Sequence, residues 1–219
     1  MILRAVCLIT GFVFGSIPTG FLVARLYGKD LRKMGSGNTG TTNALRTLGK
    51  RAGAATLAGD IAKALIPLFI TAWLFGSASE TRYLVTMYTG FGAVAGHDFS
   101  PWLSFKGGKG IATSGGVILF TDPGLFAIVL VSLVGLAGMT GYVSVGSLAA
   151  AVIYLAVQLY WILTGASFGW NCYPQTFSSE YAPELTVIAV LMAGCAIVRH
   201  KENIRRLLNG TENRFYKKK

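Results

Sequence analysis

The stretch "IATSGGVILFTDPGLFAIVLVSLVGLAGMT", residues 111–140, decides how this chain is arranged in a membrane. A membrane span needs about 20 apolar residues, and this run is longer than one span requires. Asp122-Pro123 interrupts the run, and a proline removes a backbone donor and breaks a helix. The segment is therefore either one long span or two short spans, 111–121 and 124–140.

Composition indicates that the whole chain is an integral membrane protein. Of its 219 residues, 53% are hydrophobic and 13% are charged, whereas soluble domains carry about 25% charged residues. The N-terminal apolar run is too long for the core of a cleavable signal peptide, and the three cysteines lack metal-like spacing. Outside 111–140, the predicted spans are 2–27, 53–76, 82–97, 143–164 and 184–199.

The distribution of charge resolves 111–140 into two spans. The net charge is +11, and Lys and Arg concentrate in loop 28–52, in loop 98–110 and in the tail from Arg199. Such clustering is the bias of cytoplasmic loops rather than of a nucleic-acid-binding surface. Two spans separate loop 28–52 from loop 98–110, so both loops lie on the cytoplasmic side. The basic tail lies on that side as well only if an even number of spans follows loop 98–110, and dividing 111–140 into two spans makes that number four.

We therefore predict an all-α integral membrane protein, a single domain over 1–219 with seven transmembrane helices. Its N-terminus is predicted outside and its C-terminus in the cytoplasm. The outer side then keeps only Arg4 and Arg82 as basic residues, with a loop at 165–183 that holds neither Lys nor Arg.

Three polar loops share the predicted cytoplasmic face. The first, "GSGNTGTTN" at 35–43, alternates glycines with short polar residues. Glycine adopts positive φ readily, and successive N–H groups in such a loop form a concavity for an anion; a flexible turn between helices has the same composition. The second, "KGGKG" at 106–110, lets the backbone approach a ligand, adds the charge of Lys109 and precedes a helix N-terminus.

The third loop is "RHKENIRRLLNGTENRF" at 199–215. His200 and Asn203 are three apart and lie on one face of a helix, with Arg206 on the same side. Asn209-Gly210 is a turn signal that leaves Glu212 to fold back. A membrane-edge histidine is often only an interfacial residue, but charge independently places all three clusters on one face.

These motifs, with "GSIPTG" at 15–20, "GSGNTGTTNALRTLG" at 35–49 and "GHDFSPWLSFKGGKGIATSGG" at 96–116, closely resemble the bacterial acyl-phosphate-dependent glycerol-3-phosphate acyltransferases, the PlsY family. The resemblance covers nearly the whole chain. It implies an enzyme of the bacterial inner membrane, with its active site at the cytoplasmic face. The enzyme would transfer a fatty acyl group from acyl phosphate to the 1-hydroxyl of sn-glycerol 3-phosphate. The products would be lysophosphatidic acid and inorganic phosphate, in the first step of phospholipid synthesis.

The same resemblance implies no metal and no cofactor. The expected partners are the two substrates and membrane lipid, with no nucleic acid, and a monomer is favoured. The family's first motif usually reads Gly-Ala-Thr-Asn, whereas this chain has Gly40-Thr41-Thr42-Asn43, which leaves the role of Thr41 open.

Site residues follow from the matched motifs. The expected catalytic residues are Ser36, Lys109, His200 and Asn203. The residues expected to bind acyl phosphate are Gly37, Asn38, Gly40, Thr42, Asn43, Gly107, Gly108 and Gly110. Those expected to bind glycerol 3-phosphate are Arg46, Lys109, Ser144, His200 and Asn203, with Glu212, Asp60 and Lys63 as supporting residues.

Three questions stay open at the level of sequence. Acyl phosphate is already activated, so the protein mainly positions and stabilises; either His200 or the leaving phosphate takes the proton. Asp60 and Lys63, three apart in a span where ionisable groups are expensive, either pair with each other or bring Lys63 near the site. The rival class is a transporter for small phosphorylated solutes, although no pair of broken helices repeats in two halves.

Overall fold

The computed structural model describes residues 1–75, 80–165 and 180–215, and all regular structure in these ranges is helical. Two short 3₁₀ turns, Leu31–Lys33 and Pro101–Leu103, lie in the connecting loops. The α-helices are α1 Ile2–Gly15, α2 Thr19–Leu26, α3 Thr41–Leu48, α4 Lys50–Leu74, α5 Glu80–Asp98, α6 Ile111–Thr121, α7 Pro123–Thr140, α8 Val143–Thr164, α9 Ala182–Arg199 and α10 Lys201–Leu208.

Each of the seven predicted spans falls on helical structure, but within the described residues five segments are long and apolar enough to cross a membrane. These five are Ile2–Leu26, Lys50–Leu74, Pro123–Thr140, Val143–Thr164 and Ala182–Arg199. Helix α5 has 19 residues but is not among the five. Helix α6 has 11 residues and, at about 1.5 Å per residue, is far shorter than a bilayer core. Seven crossings therefore stay a prediction, and most of the predicted outer loop, with Cys172, lies outside the described residues.

The predicted interruption of 111–140 is confirmed. Helix α6 ends at Thr121, and Asp122 caps α7, where its side chain accepts a hydrogen bond from the Leu125 N–H at 2.7 Å. Pro123 occupies the first position of α7, where a missing N–H costs nothing. The Asp122-Pro123 pair that divides the segment is thus the beginning of α7.

The first predicted span is one apolar segment but two helices, α1 and α2, separated at Ser16–Pro18. The break frees carbonyl groups that a bilayer could not satisfy. Lys63 Nζ donates to the Ile17 carbonyl at 3.0 Å, and Ser100 Oγ donates to the Ser16 carbonyl at 2.6 Å. Non-helical backbone at this depth is therefore tolerated because protein surrounds it.

Glycines allow α1 and α5 to pack with their backbones in contact. A Cβ on Gly11 or Gly15 would overlap a carbonyl oxygen of α5, and a Cβ on Gly92 or Gly96 would overlap one of α1. Small residues four apart are the usual means of such close approach in membranes. Numbering increases in the same direction along both helices, so α1 and α5 are parallel and their C-terminal ends meet.

The opposite end of the bundle is held by an ion pair. The Arg4 guanidinium donates two hydrogen bonds to Glu184, at 2.6 and 2.8 Å, and Tyr88 Oη donates to the same carboxylate at 2.8 Å. The beginnings of α1 and α9 are therefore neighbours, as the predicted topology requires for two spans that both start outside.

Candidate active site

A cavity of about 560 Å³ opens among helices α3–α10. Its polar lining includes Ser36, Asn38, Thr41, Thr42, Asn43, Arg46, Lys109, Ser144, His200, Asn203, Arg206 and Glu212. Its apolar lining includes Leu57, Ile61, Ile118, Phe126, Leu133, Tyr154 and Met192. Ser144 and Tyr154 stand ten residues apart on α8, which is about 15 Å along a helix. The cavity thus has a polar mouth and an apolar extension into the bundle.

The three polar loops predicted to share one face converge on this mouth. Ser36 and Arg46 come from the first loop, Lys109 from the second and His200 from the third. Ser144, at the start of α8, joins them. The convergence confirms that the loops are neighbours, while the side of the membrane on which they lie stays a prediction.

Asn43 organises the first loop. Its side chain is 2% exposed, and its Oδ1 accepts a hydrogen bond from the Ser36 N–H at 3.0 Å. Its Nδ2 donates to the carbonyls of Met34 and Asn38 at 2.9 and 2.8 Å. Asn43, expected to bind acyl phosphate, therefore uses its amide to fix the loop and to hold Ser36 at the rim of the cavity.

Two helices begin at the cavity wall without side-chain caps. Gly40 precedes α3 and Gly110, with φ +70°, precedes α6, and within the described chain no side chain caps either helix. The first-turn residues Thr41 and Thr42 of α3, and the first two residues of α6, line the cavity. Their N–H groups have no partner inside the helix, and each helix end adds partial positive charge. The arrangement is suited to an anion.

Three glycines expected to bind the donor through their amides point elsewhere. Gly107 and Gly108 donate their N–H groups to the carbonyls of Asp98 and His97, at 3.2 and 3.1 Å, and the Gly37 N–H donates within its own loop. None of the three lines the cavity. A Cβ on Gly107 would overlap the carbonyl oxygen of His97. The reason for glycine at 107 is therefore close packing against the end of α5.

Arg199 holds the second loop from its other side. The guanidinium donates to the Gly108 carbonyl at 2.9 Å and to the Gly107 carbonyl at 2.7 Å. Arg199 directly precedes His200, so these bonds tie the loop that carries Lys109 to the residue that begins the third cluster. Sequence alone did not identify this contact.

Lys109 lies at the centre of the cationic part of the cavity. Its Nζ donates to Asn203 Oδ1. Burial, together with repulsion by Arg206 and Arg199, lowers the pKa of Lys109 to about 8 against the attraction of Glu212. Lys109 is thus mostly protonated at neutral pH, and it loses its proton as the pH rises through about 8.

Glu212 folds back onto the site, as the turn at 209–210 predicts. Its Oε1 accepts hydrogen bonds from Asn203 Nδ2 at 2.7 Å and from Ser144 Oγ at 3.2 Å. Its Oε2 accepts from Arg206 Nε at 2.8 Å. Asn203 therefore bridges Lys109 and Glu212, and its amide orientation is determined on both sides.

His200 is buried, with 3% of its surface exposed. Its Nδ1 lies 2.7 Å from the carbonyl oxygen of Ala196, which can only accept, so Nδ1 carries the proton and Nε2 a lone pair. Burial lowers the pKa of His200 to about 4, assisted by the nearby Lys109 charge. The ring is neutral at pH 7, and its Nε2 can accept a hydrogen bond.

Of the two alternatives for Asp60 and Lys63, the structure shows the pairing, with Lys63 Nζ 3.0 Å from Asp60 Oδ1. Asp60 lines the cavity beside His97, so the pair adjoins the site. Sequence reasoning missed His97 as a cavity residue. It placed Arg206 on the same helix face as Asn203 but gave it no role in the site. Thr41, whose role the sequence left open, lines the cavity and has a buried hydroxyl without a hydrogen-bond partner in the described chain.

Comparisons with known proteins agree on one family. A family model described as glycerol-3-phosphate acyltransferase matches residues 5–210. A glycerol-3-phosphate acyltransferase of Geobacter sulfurreducens is 41% identical over 204 residues, and one of Trichlorobacter lovleyi is 39% identical over 205; each comparison covers 93% of both chains.

Two solved structures of PlsY, an integral membrane glycerol 3-phosphate acyltransferase, have the same fold. The glycerol 3-phosphate form superposes with a TM-score of 0.79 at 33% identity, covering 97% of this chain and 96% of the other. The lysophosphatidic acid form gives 0.76 at 32% identity, covering 96% and 94%.

Proposed function

This chain belongs to the glycerol-3-phosphate acyltransferase family, and we propose that it transfers a fatty acyl group from acyl phosphate to the 1-hydroxyl of sn-glycerol 3-phosphate. The products are lysophosphatidic acid and inorganic phosphate, and the step begins phospholipid synthesis. The observation that carries the proposal is that the cavity joins a cationic mouth to an apolar extension, since the donor combines a phosphate with a long hydrocarbon chain.

The donor's two parts suit the two parts of the cavity. Its acyl chain would lie along the apolar lining toward Tyr154 and Met192, and its phosphate beside Lys109 and the first turns of α3 and α6. Uncapped helix N-termini stabilise anions through N–H groups and the helix dipole. Gly107 and Gly108 then shape the loop that presents Lys109, and Gly110 lets α6 start at the cavity wall.

Glycerol 3-phosphate would bind at the outer rim of the mouth. Arg46 is exposed there, and a guanidinium can hold a phosphate through two parallel donors. His200 and Asn203 lie on the inner side, with Ser144 held next to them by Glu212. Ser36, fixed at the rim by Asn43, would contact the reacting groups as a hydrogen-bonding residue.

The reaction forms one bond to the acyl carbon and breaks another. The 1-hydroxyl oxygen attacks the acyl carbonyl carbon, the bond from that carbon to the phosphate oxygen breaks, and inorganic phosphate leaves. A phosphate group has a second pKa near 6, above the value of about 4 for His200. The leaving phosphate is thus the stronger base and takes the hydroxyl proton, while His200 Nε2 orients that hydroxyl.

We further propose that the chain spans the bacterial inner membrane seven times, with this mouth at the cytoplasmic face. The basic loops around the mouth support that orientation. We also propose a monomer as the working unit, because the groups that would bind both substrates surround one cavity within the chain.

The test is turnover by the purified protein in detergent micelles. With long-chain acyl phosphate and glycerol 3-phosphate we expect lysophosphatidic acid and inorganic phosphate in a one-to-one ratio, although no compartment exists. A transporter would release neither product, and phosphate without lysophosphatidic acid would mean hydrolysis rather than acyl transfer.

A further inference from the structure

Lys63 is a buried lysine whose nitrogen has three acceptors around it. The side chain is 4% exposed. Its Nζ lies 3.0 Å from Asp60 Oδ1, 3.0 Å from the Ile17 carbonyl oxygen and 2.7 Å from His97 Nδ1. An ammonium group has three hydrogens and no lone pair, so these three acceptors match its three donors.

This arrangement of acceptors around Lys63 determines which nitrogen of the His97 ring carries a proton. Because Lys63 donates to Nδ1, that nitrogen carries a lone pair rather than a proton, and the proton of the neutral ring is on Nε2. The hydrogen bond from Lys63 therefore fixes one tautomer of the ring, with the proton on Nε2.

The Nε2–H of His97 has no protein partner. The ring is 7% exposed and lines the cavity, and within the described chain its only hydrogen-bonding contacts are those of Nδ1. Nε2 lies over Gly108, where a Cβ would overlap it. Glycine at 108 thus leaves room for this ring next to Lys109, which also lines the cavity.

We propose that His97 is a substrate-binding group whose Nε2–H donates a hydrogen bond to a phosphate oxygen of the acyl donor. The proposal rests on the proposed function, in which that phosphate lies beside Lys109. His97 gives up no proton; it stabilises the charge that builds on the phosphate as the acyl–oxygen bond breaks. Lys63 is the positioning residue that fixes the tautomer.

Two substitutions separate this role from a purely structural one. His97→Gln keeps an N–H near the position of Nε2 but reaches Lys63 poorly, whereas His97→Asn keeps an acceptor near Nδ1 but has no donor toward the cavity. We expect His97→Asn to lower kcat/KM for acyl phosphate about 10²-fold, with the KM for glycerol 3-phosphate nearly unchanged. His97→Gln should retain at least ten times the activity of His97→Asn.

The reverse order, with His97→Asn close to wild type and His97→Gln inactive, would mean that the ring serves only Lys63 and would overturn the proposal. Wild-type activity in both variants would overturn it as well. Inactive wild-type protein would instead refute the proposed function, so the two failures are distinguishable.

A measurement on the unmodified protein avoids any loss of folding in the variants. The chain has two histidines, so selective ¹⁵N-histidine labelling gives two rings by NMR in micelles. We expect opposite tautomers, with His97 protonated on Nε2 and His200 on Nδ1. Inorganic phosphate should shift the His97 Nε2–H signal. A ring at 97 that is charged, or protonated on Nδ1, would contradict the proposal.

Discussion

The pKa of Lys109 gives the account a quantitative prediction. The ordinary lysine value is 10.5, and burial together with the neighbouring arginines lowers it to about 8. If the ammonium form holds the donor phosphate, roughly nine-tenths of the enzyme is competent at pH 7 and roughly one-tenth at pH 9. The rate constant kcat/KM for acyl phosphate should therefore fall about tenfold per pH unit above pH 8.

Substitution identifies the group responsible for that decline. Arginine stays protonated throughout this range, so Lys109→Arg should retain reduced activity while the decline near pH 8 disappears. Lys109→Ala should cost about 10²-fold or more at pH 7, as expected for one charge-stabilising contact. Lys106→Ala is the control, because Lys106 is exposed and lies outside the cavity lining.

The assay is phosphate release at saturating glycerol 3-phosphate between pH 6 and pH 10, with intact folding confirmed by thermal melting. An unchanged decline in Lys109→Arg would assign the titration to another group. Equal and mild effects of Lys109→Ala and Lys106→Ala would refute the placement of Lys109 at the phosphate.

Three further predictions concern packing, the Glu212 contacts and topology. Gly92→Leu should destabilise the protein by about 1–3 kcal/mol or more because its side chain meets the α1 backbone; Gly135→Leu, which faces open space, is the control, and equal melting temperatures would contradict the packing. Glu212→Gln should lower kcat/KM about 10- to 100-fold because the charged bond to Arg206 is lost; the exposed Glu202→Gln should have no effect, and an unaffected Glu212→Gln would remove Glu212 from the site. A cysteine at Gly210 should react in intact cells only with membrane-permeant reagents, and one at Ile2 also with impermeant ones; impermeant labelling at 210 would overturn the orientation.

The sequence predicted helix positions and the meeting of the loops, because both depend on patterns that are local or additive. A proline after Asp122 ends one helix and starts another wherever the segment lies. Clusters of Lys and Arg predict which loops lie on the same side of the membrane, and this prediction does not depend on how the helices pack. The return of Glu212 depended on a turn two residues before it, and it too is confirmed.

The direction of individual amides could not be predicted in this way. The glycines at 107 and 108 were visible, but the carbonyls of His97 and Asp98 that occupy their N–H groups come from the end of another helix. Asn43 likewise belongs to a polar, glycine-rich segment that is typical of anion binding, but its side-chain amide holds the first loop in place. His97 was overlooked because its importance depends on Lys63, 34 residues earlier in the chain.

The central claim, that acyl phosphate is the donor, is tested most directly by offering the purified enzyme two donors at matched concentration with a metal chelator present. The cationic mouth suits compact phosphate groups, and the aromatic residues that could support a nucleotide, Trp102, Phe105 and Phe215, lie outside the cavity lining. We predict full turnover with long-chain acyl phosphate, and neither turnover nor strong competition with the corresponding acyl-CoA. Comparable rates with acyl-CoA, or loss of activity on chelation, would contradict the account.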